Sequence, residues 1–378
     1  MKKEDILSLI IYMLMIAVAI IVGLTGVKSA FSAHYHISSL PSYLFAIIVI
    51  VVGLLINIIM LEVGHIIGAK LGGYAVISVN ILWFCIQKTD GKWKFCFREF
   101  DGLTGETKIT PKKEKTKLSY YVWMPVVLYV VELVSCIVII TLGEDTTIDY
   151  LSPLHWLSIA SLLMIIISSM IALYNLVPLR LDTTTDGYRL VLLAKEENLE
   201  AYNELLRVEA LRMSGEEVGE IKVFTKITEY TANINLISVY EKLGKGEFEE
   251  AEKLIDMIIV DTTKITESMY NRLVAQKLYI KIMRQPLDEV KEYYEKEVND
   301  RVRKFLANDI SMESLRCYIL IAGLLDESNG EVEFAKSRVD RARKRCLKSR
   351  VDIEQKLYDD ALVKVYEAHL DWKEETQA

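Results

Sequence analysis

A glutamate and a histidine in the second apolar segment have the spacing of a zinc-protease helix. The stretch reads Leu61-Glu62-Val63-Gly64-His65. In a His-Glu-x-x-His helix, two histidines one turn apart bind zinc, and the glutamate beside them serves as general base. In this chain Glu62 and His65 are present, but Leu61 stands where the first histidine belongs and has no lone pair for a metal. The segment therefore predicts zinc-dependent peptide hydrolysis, or a descendant that has lost part of the metal site. Without further context, Glu62 and His65 could also be a hydrogen-bonded polar pair near the membrane interface.

The composition indicates a membrane half joined to a soluble half. Of the 378 residues, 52% are hydrophobic and 26% are charged, a mixture that is rare in a single globular domain. A bilayer core of ~30 Å needs ~20 apolar residues of helix to cross it. Four segments reach that length: 6–26, 43–69, 120–142 and 154–177. We expect a mainly α protein, with a transmembrane domain over 1–190 and a cytosolic α-helical domain over 191–378.

The first apolar segment resembles a signal peptide in some respects. Lys2 and Lys3 precede it, and Ala30-Phe31-Ser32 has the small residues of a cleavage site. The apolar core of a signal peptide is typically only 7–15 residues, whereas this segment has about twenty. We therefore interpret it as a retained anchor.

Loop charges predict the orientation in the membrane. Residues 70–117 carry ten lysines and arginines, whereas residues 143–153 carry none. Positively charged loops stay in the cytoplasm. We expect a multi-pass cell-membrane protein whose N-terminus and C-terminus are both cytoplasmic.

The fourth apolar segment ends in a second polar element. Asn175 and Pro178 stand at its end, and Asp186 precedes Gly187 shortly afterwards. By the predicted topology, this element reaches the same membrane depth as Glu62 and from the same side. Aspartate before glycine is usually just a turn, and the residues alone do not favour this aspartate over Asp182 as a metal ligand.

Together these elements resemble the site-2 protease family of intramembrane zinc metalloproteases. That family pairs a His-Glu-x-x-His helix with a later Asn-x-x-Pro … Asp-Gly element, and the likeness covers about residues 43–190. The resemblance implies Glu62 as the catalytic base, with His65 and Asp186 as zinc ligands. The supporting residues that it implies are Asn175, Pro178 and Gly187.

Leu61 departs from the family pattern at a zinc ligand. Catalytic zinc is normally held by three protein ligands and carries the reactive water in the fourth position, and only His65 and Asp186 remain in this chain. Asp182 is a possible substitute ligand. We expect a catalytically impaired homologue that binds membrane-embedded or membrane-adjacent peptides. The alternative is an active zinc-dependent protease with an atypical ligand set.

The segment between the second and third spans is strand-like. Residues 76–84 are rich in β-branched and aromatic side chains, and 93–97 alternate after the turn at Thr89-Asp90-Gly91. We predict a membrane-proximal β-hairpin over 75–100. In the family such a strand can pair with an unwound substrate segment; the alternative is a structural cover.

The soluble half contains two similar segments, 246–251 and 330–335, each of which follows an apolar helix. This pattern resembles tetratricopeptide-like repeats, whose stacked helices present a concave surface to a protein partner. We expect such a surface to bind a cytosolic protein; the alternative is a compact helical bundle. The net charge of −7, with both signs mixed throughout, argues against a nucleic-acid partner.

Glu132 is a carboxylate midway along the third apolar segment. Ionisable groups inside a membrane are costly and commonly functional. We expect Glu132 to pair with a neighbouring helix or with a bound polar group.

Overall fold

A computed structural model describes residues 3–22, 25, 40–89, 92–97, 105–113, 115–144, 152–178, 185–346 and 348–375. The chain divides into two compact units, Met1–Glu196 and Glu197–Ala378. This division lies close to residue 190, where the change in composition predicts a domain boundary.

The first unit is built on long apolar helices. Its helices are α1 Lys3–Val22, α2 Leu40–Leu71, α3 Leu118–Glu144, α4 Pro153–Leu176 and α5 Asp186–Leu192. Within the described residues, three stretches are long and apolar enough to cross a membrane: Leu44–Leu71, Leu118–Gly143 and Pro153–Leu176. Only 11% to 22% of the residues in their most apolar windows are buried inside the protein. An exposed apolar surface of this size is stable in hydrocarbon and not in water. The unit is therefore associated with a membrane.

The predicted spans 43–69, 120–142 and 154–177 therefore correspond to α2, α3 and α4. The predicted span 6–26 falls partly on α1, in which Leu9–Val18 is a shorter apolar stretch. A fourth span remains a prediction.

A four-stranded antiparallel sheet lies between α2 and α3 in the chain. Its strands are β1 Tyr74–Ile81, β2 Phe84–Thr89, β3 Lys92–Phe97 and β4 Gly105–Pro111, in the order β3-β2-β1-β4. The single hairpin predicted over 75–100 is thus corrected to a larger sheet. The predicted first strand is divided by a tight turn at Leu82-Trp83, where Leu82 has φ 55°. Neither residue is a turn former, so no residue pattern marks this division.

Glycines bring α2 and α3 into close contact. A Cβ atom on Gly64 would lie 2.6 Å from Pro125 Cα, and one on Gly68 would lie 2.8 Å from Tyr121 Cα. Both distances are shorter than van der Waals contact, so the helices can approach this closely only without side chains at these positions. The approach places His65 of α2 against the first turn of α3.

Two residues join α2 to β1, and backbone hydrogen bonds fix the connection. The Gly72 N–H donates to Gly68 O (2.8 Å), and Gly72 O accepts from the Lys117 N–H (2.9 Å). Gly73 has φ 86°, a left-handed conformation that favours glycine, and its carbonyl accepts from the Lys112 N–H (3.0 Å). The sheet is thereby attached to the ends of both α2 and α3.

The second unit is helical. Its longer helices are α6 Glu196–Ser214, α7 Glu229–Gly244, α8 Phe248–Ile259, α9 Glu267–Arg284, α10 Leu287–Glu297, α11 Asp300–Asn308, α12 Met312–Leu320, α13 Asn329–Ser337, α14 Val339–Arg345, α15 Val351–Ala368 and α16 Leu370–Glu375. Ala251 in α8 and Ala335 in α13 are both fully buried. The two similar segments differ at their glycines, because Gly246 forms a left-handed turn (φ 78°) whereas Gly330 lies within α13. A repeat architecture remains a prediction.

A buried ion cluster lies in the core of this unit. Arg316 and Glu354 are both fully buried and form an ion pair. Arg316 also donates to Gln276 Oε1 (2.6 Å), and Arg350 donates to the second oxygen of Glu354. These partners compensate for the loss of water around the charges.

Candidate functional site

The structure brings His65 of α2 and Asp186 of α5 into direct contact. His65 Nε2 lies 3.2 Å from Asp186 Oδ2, and His65 Nδ1 lies 3.0 Å from the carbonyl oxygen of Tyr121. The imidazole stacks on the Tyr121 ring, with centroids 4.1 Å apart and planes at 16°. Because both ring nitrogens face acceptors, the arrangement fits a doubly protonated imidazolium that donates to each.

The end of α4 positions Asp186. Thr185 precedes α5 as its N-cap, and its hydroxyl donates to Val177 O (2.7 Å). Gly187 lies against the last turn of α4, where a Cβ atom would be 2.6 Å from the carbonyl carbon of Leu176. Glycine after the aspartate is therefore required by close backbone approach, and it fixes Asp186 at the end of the span.

Two cations hold the Asp186 carboxylate. Arg189 Nη1 lies 3.6 Å from Oδ1, opposite the contact that His65 makes with Oδ2. Burial raises the pKa of Asp186, but the hydrogen bond from His65 and the charges of His65 and Arg189 lower it more, so its pKa is below the usual value. Asp186 is therefore ionised at neutral pH, although it is only 8% exposed.

Glu62 is enclosed by β4. It is 1% exposed, and its Oε2 accepts a hydrogen bond from the Thr107 hydroxyl. Gly105 lies directly over the carboxyl group, where a Cβ atom would be 2.7 Å from Glu62 Cδ. The Tyr121 hydroxyl donates to Thr107 O (3.0 Å). Tyr121 therefore contacts His65 through its ring and holds β4 over Glu62 through its hydroxyl.

The other predicted site residues lie around this cluster. Leu61 is partly buried on α2, and Pro178 follows the end of α4. Asn175 is in the last turn of α4, and its Nδ2 is buried without a hydrogen-bond partner in the described part of the chain. Asp182 lies outside the described residues.

These residues do not fit a catalytic zinc ion. Leu61 offers no donor atom, so His65 and Asp186, whose Nε2 and Oδ2 lie 3.2 Å apart, are the two predicted ligands that remain. Within the part of the chain that the structure describes, no group of three or more His, Cys, Asp or Glu side chains is arranged to hold a metal. Two ligands fall short of the three that catalytic zinc normally has, and the possible substitute ligand Asp182 lies outside the described residues.

Sequence reasoning missed four residues of the cluster: Thr107, Gly105, Tyr121 and Arg189. The contacts of the first three depend on strand register or on backbone atoms, which carry no sequence signal. Arg189 could have been found, because it lies one helical turn after Asp186.

An aromatic surface extends from Glu62 across the sheet. Val79 of β1 pairs with both Thr107 of β4 and Ile86 of β2, which in turn pairs with Phe95 of β3. Directly paired residues project from the same face, so these four form one row, and Thr107 at its end contacts Glu62. Three strand spacings separate its ends by roughly 14 Å.

The far end of that row is apolar and exposed. Ile86 and Phe95 of the row lie on the same face of β2 and β3 as three neighbouring aromatic residues, and all five side chains are between 44% and 70% exposed: Phe84, Ile86, Trp93, Phe95 and Phe97. The rings of Phe95 and Phe97 are 5.1 Å apart, and those of Phe84 and Phe97 are 5.8 Å apart. We call these five residues the aromatic surface.

Comparisons with family models, curated proteins and solved structures found no match to this chain.

Proposed function

We propose that this protein is a site-2-protease-like membrane protein that binds membrane-embedded or membrane-adjacent peptides without cutting them. The observation that carries the proposal is the ion pair between His65 and Asp186 beside Leu61. The two residues that would serve as metal ligands satisfy each other, and the third ligand position holds a side chain without a donor atom. The cluster keeps its polar residues and loses the means to bind catalytic zinc.

The aromatic surface supports peptide binding. It continues the face of the sheet that covers Glu62, and it ends at β3, which is an edge strand. An edge strand offers free backbone groups to an extended peptide, and neighbouring apolar side chains supply contact area. The Nδ2 of Asn175, which is unpaired among the described residues, offers a further donor for a peptide carbonyl.

In this proposal α1 is a fourth span, and both termini are cytoplasmic. The second unit is a tetratricopeptide-like domain that binds a cytosolic protein partner. The buried Ala251 and Ala335, each in a short helix after an apolar helix, support that assignment.

Zinc content tests the loss of the metal site. We expect the purified wild-type protein to hold far less than one zinc per chain by mass spectrometry. Leu61→His supplies the missing ligand and should raise zinc towards one per chain. Val63→His is the matched control, because it adds the same side chain on an exposed face of the same helix and should not bind zinc.

The opposite result would favour the alternative function, an active zinc-dependent protease. Near-stoichiometric zinc in the wild-type protein, lost in Asp186→Ala or in Asp182→Ala, would identify an active enzyme with an atypical ligand set. Zinc retained in both variants would place the metal elsewhere.

Photo-crosslinking tests peptide binding independently of zinc. A benzophenone amino acid at Phe95 should crosslink to a synthetic apolar transmembrane peptide with a central Gly-Pro break, in lipid nanodiscs. The same amino acid at Phe334, an equally accessible phenylalanine of the second unit, serves as control. Equal crosslinking at both positions would reject the aromatic surface as the binding site.

A further inference from the structure

A second polar cluster lies within the three spans, away from His65 and Asp186. Glu132 of α3 has two buried carboxylate oxygens, and neither has a hydrogen-bond partner of good geometry among the described residues. The side chains of Asn57 from α2 and Ser168 from α4 face this carboxylate. Each of the three helices thus contributes one polar residue to a common point.

The two neighbouring side chains are buried and incompletely bonded. Asn57 is 0% exposed and Ser168 is 3% exposed. The amide nitrogen of Asn57 donates to Gly53 O (2.9 Å), whereas its Oδ1 and the Oγ of Ser168 have no partner within the described ranges. Buried polar atoms without partners are rare in folded proteins and call for an explanation.

The unsatisfied atoms of this cluster are all oxygens. Two come from Glu132, one from Asn57 and one from Ser168, and the neutral donors beside them are the Ser168 hydroxyl and the second N–H of the Asn57 amide. Among the described residues, no lysine, arginine or histidine forms an ion pair with Glu132. An ionised carboxylate inside a membrane requires a counter-charge.

A hard cation would supply the positive charge that these oxygen atoms lack. Carboxylate, amide and hydroxyl oxygens bind hard cations. A single carboxylate balances one positive charge, whereas Ca²⁺ takes six to eight oxygens, commonly from several carboxylates. A divalent ion would also leave a net positive charge within the hydrocarbon.

We propose that Glu132, Asn57 and Ser168 form a binding site for a small monovalent cation, Na⁺, within the three-helix bundle. The ion supplies the charge that Glu132 lacks and satisfies the free oxygens of all three helices. Because its ligands come from α2, α3 and α4, bound Na⁺ holds the spans together. This site does not depend on the proposed peptide binding or on the loss of zinc.

Sodium binding to the purified full-length protein tests the proposal. We expect radioactive Na⁺ to bind saturably, at about one ion per chain, and the melting temperature to rise by several degrees as NaCl replaces choline chloride at constant ionic strength. Glu132→Gln should abolish both effects, and Ser168→Ala should weaken them. Ser135→Ala is the matched control, because Ser135 lies on α3 with its hydroxyl exposed and bonded to Val131 O (2.8 Å).

Two results would overturn the site. If the wild-type protein retains no sodium and melts identically in both salts, Glu132 is a neutral, protonated acid that donates its proton to Asn57 or Ser168. If sodium binds equally to wild type, Glu132→Gln and Ser168→Ala, the ion lies elsewhere. Should Glu132→Gln fail to fold, the wild-type measurement and Ser168→Ala still decide between these outcomes.

Discussion

His65 Nε2 and Asp186 Oδ2 lie 3.2 Å apart, so residues from α2 and from the start of α5 are joined by an ion pair. In the family that the sequence resembles, the corresponding side chains share a metal ion. In this chain the two side chains contact each other directly and so link α2 to the start of α5. The pair therefore joins two elements of the membrane unit that are far apart in the sequence.

Removing one partner of this pair should destabilise the protein. Asp186→Asn removes the carboxylate that His65 and Arg189 both contact, and breaking a buried ion pair costs about 3 kcal/mol or more. The free energy of unfolding in mixed micelles measures the loss. Asp340→Asn is the control, since Asp340 forms an exposed pair with Arg343 (3.3 Å) and should change stability by less than about 1 kcal/mol. Equal effects of the two substitutions would contradict the structural role.

The same pair predicts how stability depends on acid. The pKa of Asp186 is lower in the folded protein than in the unfolded chain, so its contribution is fully present above about pH 4. Stability should fall as the pH drops from about 4 through the lower folded-state pKa. The part that Asp186 contributes should be missing in Asp186→Asn. Unfolding measured against pH for both proteins checks this, and parallel acid limbs would exclude Asp186 as the source.

Gly105 should not tolerate a side chain. Gly105→Ala places a Cβ atom 2.7 Å from Glu62 Cδ, so β4 must move and the Thr107–Glu62 hydrogen bond must stretch. Overpacking of this kind costs about 1–3 kcal/mol. Gly330→Ala makes the same change in a helix where the new Cβ meets open space, and it should be neutral or stabilising. A lower melting temperature for Gly105→Ala alone is the expected result.

The buried ion cluster of the second unit predicts a large effect on the stability of that unit. Arg316→Leu removes one of the two arginines that bind Glu354 in the core and leaves Glu354 Oε2 without its donor, so it should cost about 3 kcal/mol. Arg343→Leu, at an exposed pair, should cost less than about 1 kcal/mol. Hydrogen exchange on the full-length protein should show faster exchange through α12 and α15 in Arg316→Leu only. Unchanged protection in that variant would count against the cluster as a stabilising element.

Much of the first unit can be predicted from the sequence, because long apolar runs and loop charges have simple physical causes. Three apolar helices and an antiparallel element are confirmed in outline. The contact between His65 and Asp186 follows from two segments that reach the same depth. What these patterns mean for function remains a prediction.

The enclosure of Glu62 could not be predicted, because it depends on strand register. β4 pairs with β1 through an irregularity between Val76 and Ser78, and a shift by one residue would turn Thr107 to the opposite face. No local pattern in β4 encodes that irregularity. The hydrogen bond between His65 and the backbone carbonyl of Tyr121 could not be predicted either, because every residue has a backbone carbonyl.

The short connection between α2 and β1 has a mechanical consequence. Hydrogen bonds at Gly72 and Gly73 tie the sheet to α2 and α3 with no slack between them. Because only two residues join α2 to β1, a force that pulls on β3 should rotate both helices. A longer loop would extend instead. We therefore expect a force on the outer strand of the sheet to displace the helix that carries Glu62 and His65.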